Sequence, residues 1–285
     1  MLLARDSAIA RLIAVVGCQR SGTTLTGQVI GAHPNAILVD ETDGLYPWFH
    51  AEADERHDAE ALGQAMLARA AAKYRNPDAR FRNAAGRVTV ADGVTSLILK
   101  APNLTYDYEK LSRIPVPVMV VYPVRDPRGV VASMTRLSQI DFIGNQLRLL
   151  AERPGTAALF EVELRTLANA AAPLWVRHAA IWKVKSGLMP EFQRCGLAVH
   201  QFRYEDLVRE PQATCRHLLR ACDLRVVGEL ARPEAVYRGY GPGGTDRMRP
   251  IDQAALLNWK RDLDTSREAD ILHIAGQLAR NFGYG

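Results

Sequence analysis

The stretch VVGCQRSGTTLTGQVIGAHPN, residues 15–35, decides the fold of this chain. It begins as an apolar strand, breaks at Gly17 and restarts as a helix. The amides at the start of such a helix point outward and carry about half a positive charge from the helix dipole. Ser21, Thr23 and Thr24 add hydroxyl donors at the same turn. A glycine pair alone would indicate only a tight turn, but this cluster of donors favours a site for an oxyanion group.

The loop departs from the phosphate-binding template GxxxxGK[ST] at an informative position. Gly17, Gly22 and Thr24 match the template, whereas Thr23 stands where a nucleotide kinase carries lysine. That lysine counters charge on the β- and γ-phosphates, so its loss argues against a triphosphate substrate. Arg20 supplies a cation from within the loop. A transferring group with a single negative charge, such as a sulfuryl group, needs less neutralisation and no magnesium.

The rest of the chain alternates predicted strands with predicted helices. The strands are expected at 12–16, 36–42, 96–100, 117–124 and 197–207. The helices are expected at 22–32, 55–74, 104–114, 126–137, 160–190, 211–222 and 266–281. Basic and glycine-rich loops are expected at 75–87 and 238–250. The alternation predicts an α/β fold: an open, mostly parallel sheet with helices on both faces, in a single domain over residues 1–285.

Several polar residues fall at or just past the carboxyl ends of these strands. They are Gly17, residues 40–42, Lys100, Arg125 and Tyr204. Ligands of open parallel sheets bind beyond the carboxyl ends of the strands. We therefore expect these residues to line one cleft.

Composition and charge narrow the class of protein. Of 285 residues, 48% are hydrophobic and 24% charged, which is typical of a soluble globular protein. No apolar run reaches the roughly 20 residues that cross a bilayer, so we expect neither anchor nor signal peptide and a cytoplasmic location. The irregular spacing of Cys18, Cys195, Cys215 and Cys222 predicts free thiols and no metal site. The net charge of +5 suits a polyanionic ligand or an acidic partner, but no nucleic-acid-binding motif is present.

Residues 17–35 resemble the 5′-phosphosulfate loop of sulfotransferases that use 3′-phosphoadenosine 5′-phosphosulfate (PAPS). The segment YPVRDPRGVVASM resembles their second motif, and FRYEDLVREPQATCRHLL, GTDRMRPIDQAALLNW and LARNFGYG are similar to later family segments. The likeness covers residues 12–285 and implies the sulfotransferase fold, with PAPS as co-substrate and no metal. Within the family, HPNAILVDETDGLYP and LILKAPNL look most like the tyrosylprotein branch.

The resemblance also implies roles for individual residues. Arg20, Ser21, Gly22, Thr23 and Thr24 would hold the 5′-phosphosulfate. Arg125 and Ser133, eight residues apart, would bind the 3′-phosphate, and Tyr204 would contact adenine. Arg125 could alternatively pair with Asp126. The late basic residues Arg247, Arg249 and Lys260 would either close over the nucleotide or form a solvated face.

Two further residues are predicted to be catalytic, together with Arg20. Glu41 lies 21 residues after Arg20, the spacing at which the tyrosine-modifying branch carries its base. Lys100 would face the bridging oxygen of the leaving phosphate. The small-molecule branch uses a histidine two residues after its lysine, and Pro102 stands there instead. His33 is better explained as part of the helix stop before Pro34.

These features predict a sulfotransferase that modifies a tyrosine in a peptide, with a phenolic or hydroxylated natural product as the alternative acceptor. Arg80, Arg82 and Arg87 are expected to be solvated, or else to dock acidic residues of such a peptide. Against the peptide, secretory members of the branch have an anchor and paired cysteines, where this chain has Val39 and Leu99. A P-loop kinase and a non-catalytic nucleotide-binding module remain open, as does a homodimer.

Overall fold

A five-stranded parallel sheet forms the centre of the computed structural model, which describes residues 9–51, 56–228 and 232–285. The strand order is β2-β5-β1-β6-β7. Two short antiparallel pairs, β3-β4 and β8-β9, accompany this sheet. The strands are β1 (Arg11–Val15), β2 (Ala36–Asp40), β3 (Phe81–Ala84), β4 (Arg87–Val90), β5 (Ser96–Lys100), β6 (Val118–Val124), β7 (Ala198–Arg203), β8 (Tyr240–Gly241) and β9 (Thr245–Asp246).

Helices surround the sheet and confirm the predicted α/β class. They are α1 (Thr23–Gly31), α2 (Leu45–His50), α3 (Arg56–Ala72), α4 (Tyr108–Ser112), α5 (Pro127–Thr135), α6 (Phe142–Ala151), α7 (Pro154–Ala158), α8 (Glu161–Ala168), α9 (Leu174–Gly187), α10 (Met189–Arg194), α11 (Tyr204–Arg209), α12 (Pro211–Ala221) and α13 (Thr265–Asn281). Short 3-10 helices follow β2 and β5, at Glu41–Asp43 and Pro102–Tyr106. In the part of the chain described, no helix combines the length and apolar character needed to span a bilayer.

Strands β2 and β5 are buried on both faces because helices cover them. Every residue of β2 and β5 is buried, including Lys100 at the carboxyl end of β5. Each aliphatic side chain buried in this way contributes about 1.5–3 kcal/mol relative to exposure. Hydrophobic burial therefore fixes the strands and, with them, the polar residues at their ends.

Helix α1 packs closely against β2 and β5 because two of its residues are glycines. A Cβ atom on Gly31 would lie 2.7 Å from Cβ of Leu38, and one on Gly27 would lie 3.1 Å from Cβ of Lys100. Glycine costs helix stability of about 1 kcal/mol relative to alanine. The close approach offsets that cost and brings the start of α1 to the strand end that carries Lys100.

The structure differs from the sequence-based expectation at several element boundaries. Residues 75–87 contain most of a β-hairpin, because Ala85 and Gly86 adopt positive φ values of 52° and 74°, as a tight two-residue turn requires. The predicted fifth strand ends at Arg203, and α11 begins directly after it. The predicted helix at 160–190 is divided into α8 and α9, and residue 55 of the predicted helix 55–74 lies outside the described residues.

Candidate active site

The loop between β1 and α1 curls back on itself through three residues with positive φ. The φ values are 109° at Gly17, 66° at Arg20 and 85° at Gly22. Thr105, in the 3-10 helix after β5, anchors the loop: its Oγ1 accepts a hydrogen bond from the amide of Gly17 at 2.7 Å. The loop is therefore held against the carboxyl end of the neighbouring strand.

The start of α1 leaves donors available for a ligand. Gly22 is its N-cap residue and provides no side-chain cap, so the first-turn amides at Thr23 and Thr24 lack an intrahelical or capping partner. The Ser21 hydroxyl is fully buried beside the weakly bonding Cys18 thiol, with no oxygen or nitrogen partner among the described residues. An anion at this turn would satisfy these donors.

Tyr204 and Arg125 lie against the loop on the β6-β7 side. A Cβ atom on Gly22 would be 2.2 Å from Cδ2 of Tyr204, so the tyrosine ring packs directly on the glycine. The Arg125 guanidinium lies 4.6 Å from the centre of the same ring. Tyr204 is 8% exposed, and burial raises the pKa of its phenol. Contact with a nucleotide base stays a prediction for this residue.

Arg20, Arg125 and Ser133 form a positively charged group. Arg20 Nε donates to Ser133 Oγ at 3.0 Å, and Arg125 donates to the carbonyl oxygen of Arg20 at 3.1 Å and to that of Ala255 at 3.0 Å. Burial, followed by the charge of Arg125, lowers the pKa of Arg20. Within the described chain neither arginine has a carboxylate partner; Asp126 pairs with Arg128 instead. Two adjacent cations bonded only to neutral oxygens are suited to a polyanion.

Glu41 and Lys100 meet at the opposite side of the loop. Asp40 and Lys100 are register partners in the paired strands β2 and β5, which places Glu41, the next residue, beside the lysine. Lys100 Nζ donates to both carboxylate oxygens of Glu41, at 2.8 and 2.9 Å. The lysine side chain is 1% exposed and that of Glu41 is 20% exposed, so the carboxylate alone has appreciable solvent access.

A buried ionic network holds the residues on either side of Glu41 in place. Asp40 accepts hydrogen bonds from Arg247 at 2.9 Å and from the Thr42 amide at 2.9 Å, and it lies 3.5 Å from Lys73 Nζ. Burial alone would raise the pKa of Asp40, but Lys73, Lys100 and Arg247 hold it well below its usual range. Asp43 completes the network through Lys73, and burial raises its pKa. The strand end that carries Glu41 is therefore fixed by charge.

The glycine-rich segment between β8 and β9 covers the loop between β1 and α1. A Cβ atom on Gly243 would lie 2.6 Å from Nη1 of Arg20, and one on Gly241 would lie 3.4 Å from Cγ2 of Thr24. Arg247 ties this segment to Asp40, and its Nη1 also donates to the Tyr240 carbonyl oxygen at 2.6 Å. The sequence predicts a cofactor contact or a solvated face for Arg247, but its side chain is only 6% exposed and lies in the ion network.

The other basic residues singled out from the sequence lie elsewhere. Arg249 pairs with Asp252, and Lys260 lies over the Trp259 ring. Arg80, expected to be solvated, is buried because it donates to the Ala32 carbonyl oxygen and stacks on Tyr74.

Arg82 and Arg87 are exposed on the β3-β4 hairpin and pair with Asp92 and Glu60. The hairpin adjoins the amino ends of β2 and β5: Ala91, just past β4, connects through Val94 to the start of β5. The candidate site lies at the carboxyl ends. A peptide bound at the site would therefore have these arginines at the far edge of the sheet.

The remaining candidate ligand residues are His33 and the four cysteines. His33 bonds to the Arg225 carbonyl oxygen at 2.9 Å and accepts from the Asn35 amide at 3.1 Å, which fits its predicted part in the helix stop. All four cysteines are free thiols. No cluster of histidine, cysteine or acidic residues able to hold a metal occurs in residues 9–51, 56–228 and 232–285.

Comparison with known proteins identifies the family. A sequence model described as the sulfotransferase family matches residues 13–227, which is most of the chain. This chain belongs to the sulfotransferase family. No curated protein matches it.

Solved structures share the sulfotransferase fold at low identity. The sulfotransferase domain of the olefin synthase from Synechococcus PCC 7002 superposes with a TM-score of 0.54 at 16% identity, over 99% of this chain and 98% of that one. A sulfotransferase domain from the curacin biosynthetic pathway gives a TM-score of 0.55 at 16% identity, over 97% and 98% of the two chains. These likenesses establish the fold of this sulfotransferase.

The sequence of this sulfotransferase predicts the loop, the strand-end residues and Ser133, and the structure brings them to one edge of the sheet. It does not predict the supporting residues Thr105, Lys73 and Lys185. Lys185 carried a signal, because it falls four residues after Ile181 on an apolar helical stretch. Thr105 and Lys73 carried none, since their partners are distant along the chain.

Proposed function

We propose that this sulfotransferase moves the sulfuryl group of PAPS to the hydroxyl of a phenolic or hydroxylated small molecule. The pairing of Glu41 with Lys100 beside the anion-binding loop is the observation that carries the proposal. A carboxylate with solvent access can take a proton from an acceptor, and a buried lysine can stabilise a leaving oxygen. The reaction also requires a binding site for the sulfated nucleotide, and the loop between β1 and α1 is suited to that role.

The residues present fit PAPS. The unpartnered donors at Ser21, Thr23 and Thr24 suit its 5′-phosphosulfate. Arg125 and Ser133, joined through Arg20, suit its 3′-phosphate, because arginine recognises phosphate through its planar fork. PAPS would supply an activated sulfuryl group with a good leaving phosphate.

The protein's own groups account for the proton and the developing charge. The acceptor oxygen forms a bond to sulfur while the bond from sulfur to the 5′-phosphate oxygen breaks, and Glu41 takes the hydroxyl proton. Protonation neutralises Glu41 and releases the charge of Lys100 as the leaving oxygen becomes negative. The ion pair thus couples proton removal to stabilisation of the leaving group. A role for Arg20 at the sulfuryl group is part of the same proposal.

Two observations support a small acceptor over a peptide tyrosine. The exposed basic hairpin that could have docked acidic peptide residues lies at the opposite edge of the sheet. Both fold relatives belong to biosynthetic systems, an olefin synthase and the curacin pathway. The resemblance to the tyrosylprotein branch keeps the peptide as the second candidate.

Transfer from radiolabelled PAPS tests the function directly. We expect label in 4-nitrophenol or in hydroxylated acyl compounds, and little in peptides that have acidic residues around tyrosine. Preferential labelling of peptide would reverse the choice of acceptor. Magnesium-dependent transfer of phosphate from ATP would favour the kinase alternative instead.

Calorimetry with adenosine 3′,5′-bisphosphate, the product of transfer, tests the nucleotide assignment without an acceptor. Arg125→Ala should bind it about 10- to 100-fold more weakly, because a charge-assisted contact to phosphate is lost. Arg261→Ala is the matched control, since Arg261 is exposed and bonds to the Asn258 side chain. Equal binding by wild type and Arg125→Ala would contradict the assignment.

A further inference from the structure

Lys185 is a fully buried lysine that reaches from α9 to the 3-10 helix after β5. Its Nζ donates to the Pro102 carbonyl oxygen at 2.9 Å and to Asn103 Oδ1 at 2.7 Å. The ammonium also lies 5.1 Å from the centre of the Tyr106 ring. These partners belong to the 3-10 helix directly after Lys100. Lys185 therefore holds the segment that follows the catalytic strand end.

The charged surroundings of Lys185 connect it to the site. Glu41, Asp107 and the Cys18 thiol are the acidic groups that act on its ammonium. Burial is the stronger influence and lowers the pKa of Lys185 to about 7. In the described chain no carboxylate is within ion-pair distance of its Nζ, which is satisfied by neutral oxygens. Burying a lysine without a carboxylate partner costs folding free energy, so its contacts are expected to serve a function.

The contact with Lys185 fixes which way the Asn103 amide faces. An ammonium group has three donors and no acceptor, so it requires the amide oxygen, Oδ1, to turn toward it. The amide nitrogen, Nδ2, is then turned away. Asn103 is half-buried, and its Nδ2 forms no hydrogen bond with the described residues. A free donor therefore faces away from Lys185.

The positions of Tyr46 and Lys100 relate Asn103 to Glu41. The Tyr46 phenol is influenced by the charge of Glu41 and by a hydrogen bond with the Asn103 backbone, while burial raises its pKa well above the usual value. Tyr46 thus contacts the Asn103 backbone and lies within the electrostatic influence of Glu41. Asn103 also lies three residues after Lys100, which binds Glu41 directly.

We propose that Lys185 orients Asn103 so that Nδ2 donates a hydrogen bond to the acceptor hydroxyl oxygen, the proton of which Glu41 takes. This inference rests on the proposed function. A hydroxyl has one proton and two lone pairs: the proton faces Glu41, one lone pair attacks sulfur, and the other accepts from Nδ2. Asn103 is then an acceptor-binding residue and Lys185 a positioning residue.

Asn103→Asp separates the two roles of the amide. Its carboxylate can still accept from Lys185, but it has no proton to donate. We expect a loss of about 10- to 100-fold in kcat/KM for 4-nitrophenol, with unchanged affinity for the bisphosphate. Asn103→Ala should lose as much, and Lys185→Met should lose less, because the amide is retained but can rotate. The double variant Asn103→Ala/Lys185→Met should be no worse than Asn103→Ala.

Lys183→Met is the matched control on the same helix. Lys183 forms a half-buried pair with Glu163 and contacts none of the proposed site residues, so its loss should leave all constants unchanged. A second readout is the binding of 4-nitrophenol to the bisphosphate complex, followed by absorbance, which should weaken about 10-fold in Asn103→Asp. Full acceptor efficiency and phenol affinity in Asn103→Asp would overturn the inference and leave the proposed function standing. A wild-type protein that binds the bisphosphate and phenol but transfers no sulfuryl group would contradict the proposed function itself.

Discussion

Gly22 shows at the level of one residue why the loop between β1 and α1 needs its glycine. Its φ of 85° lies in the left-handed region, and the Tyr204 ring occupies the space that a side chain would fill. The positive φ and the contact with the ring each disfavour a larger residue at this position. The ring cannot easily move away, because it packs on Arg125. Gly22 therefore determines both the turn of the loop and the position at which the Tyr204 ring packs.

Gly22→Ala should abolish measurable binding of the bisphosphate, or weaken it more than about 100-fold, because the loop or Tyr204 must move. Calorimetry on folded protein measures this, with circular dichroism to establish that the sheet persists. Gly155→Ala is the control, because a Cβ there meets nothing within 4 Å and no positive φ is required. Wild-type affinity in Gly22→Ala would show that the loop does not hold the nucleotide.

Lys185 is a single residue that should make the free energy of unfolding depend on pH. Its pKa falls from the ordinary value of 10.5 to about 7 in the fold, so between these values the unfolded chain binds more protons. Stability due to this group must therefore rise with pH across the window, by about 1.4 kcal/mol per pH unit. The stability of Lys185→Met relative to wild type should decrease accordingly between pH 7.5 and 9.5 in urea unfolding. Lys183→Met should show no such trend, and a constant difference for Lys185→Met would refute the linkage.

At the scale of elements, the site depends on how segments distant in the chain are tied together. The β8-β9 segment reaches the end of β2 through the Arg247–Asp40 pair and covers Arg20 and Thr24. The pair is buried, so removing Arg247 leaves the charge of Asp40 compensated only by Lys73 and Lys100. A single arginine thereby connects the covering segment to the strand that carries Glu41.

Arg247→Met should destabilise the fold by about 3 kcal/mol and raise the KM for PAPS, because the covering segment loses its attachment. Thermal unfolding and steady-state kinetics measure the two effects. Arg249→Met breaks an exposed pair two residues away and should change neither. An unchanged KM in Arg247→Met would mean that the segment does not cover bound PAPS.

At the scale of the whole molecule, the two edges of the sheet have different chemistry. The carboxyl edge gathers the loop, Lys100 with Glu41, and Arg125, whereas the amino edge carries the β3-β4 hairpin with its exposed ion pairs. Exposed charges separated by more than about 8–10 Å interact weakly at physiological salt. The basic hairpin should therefore have little influence on chemistry at the other edge.

The double variant Arg82→Ala/Arg87→Ala should leave kcat/KM unchanged within about twofold for phenols and for acidic peptides alike. Steady-state assays at 20 and 150 mM salt measure this, with Arg125→Ala as the positive control for loss. A decrease in kcat/KM for the acidic peptide alone would indicate that the hairpin is a docking surface.

Sequence was informative about this sulfotransferase wherever the determining interactions are local. The strand-to-helix loop, the carboxyl ends of the strands and the stop at His33 follow from short-range sterics, capping and hydrophobic pattern. The hairpin was missed in part because Ala85, an unusual residue for positive φ, occupies its turn. The prediction that Arg80 is solvated was wrong because its hydrogen-bond acceptor, the Ala32 carbonyl oxygen, is 48 residues away in sequence.

Sequence by itself determined the α/β class and the strand-to-helix loop, and it predicted the candidates Glu41, Lys100, Arg125 and Ser133. Only the tertiary structure decided which of them touch: Lys100 with Glu41 across β5 and β2, and Arg20 with Ser133 across 113 residues. It also decided the roles of Arg247 and Lys185, which pattern could not reveal. The physical reason is that backbone conformation responds to neighbouring residues, whereas the pairing of buried charges depends on which strand ends the packed core brings together.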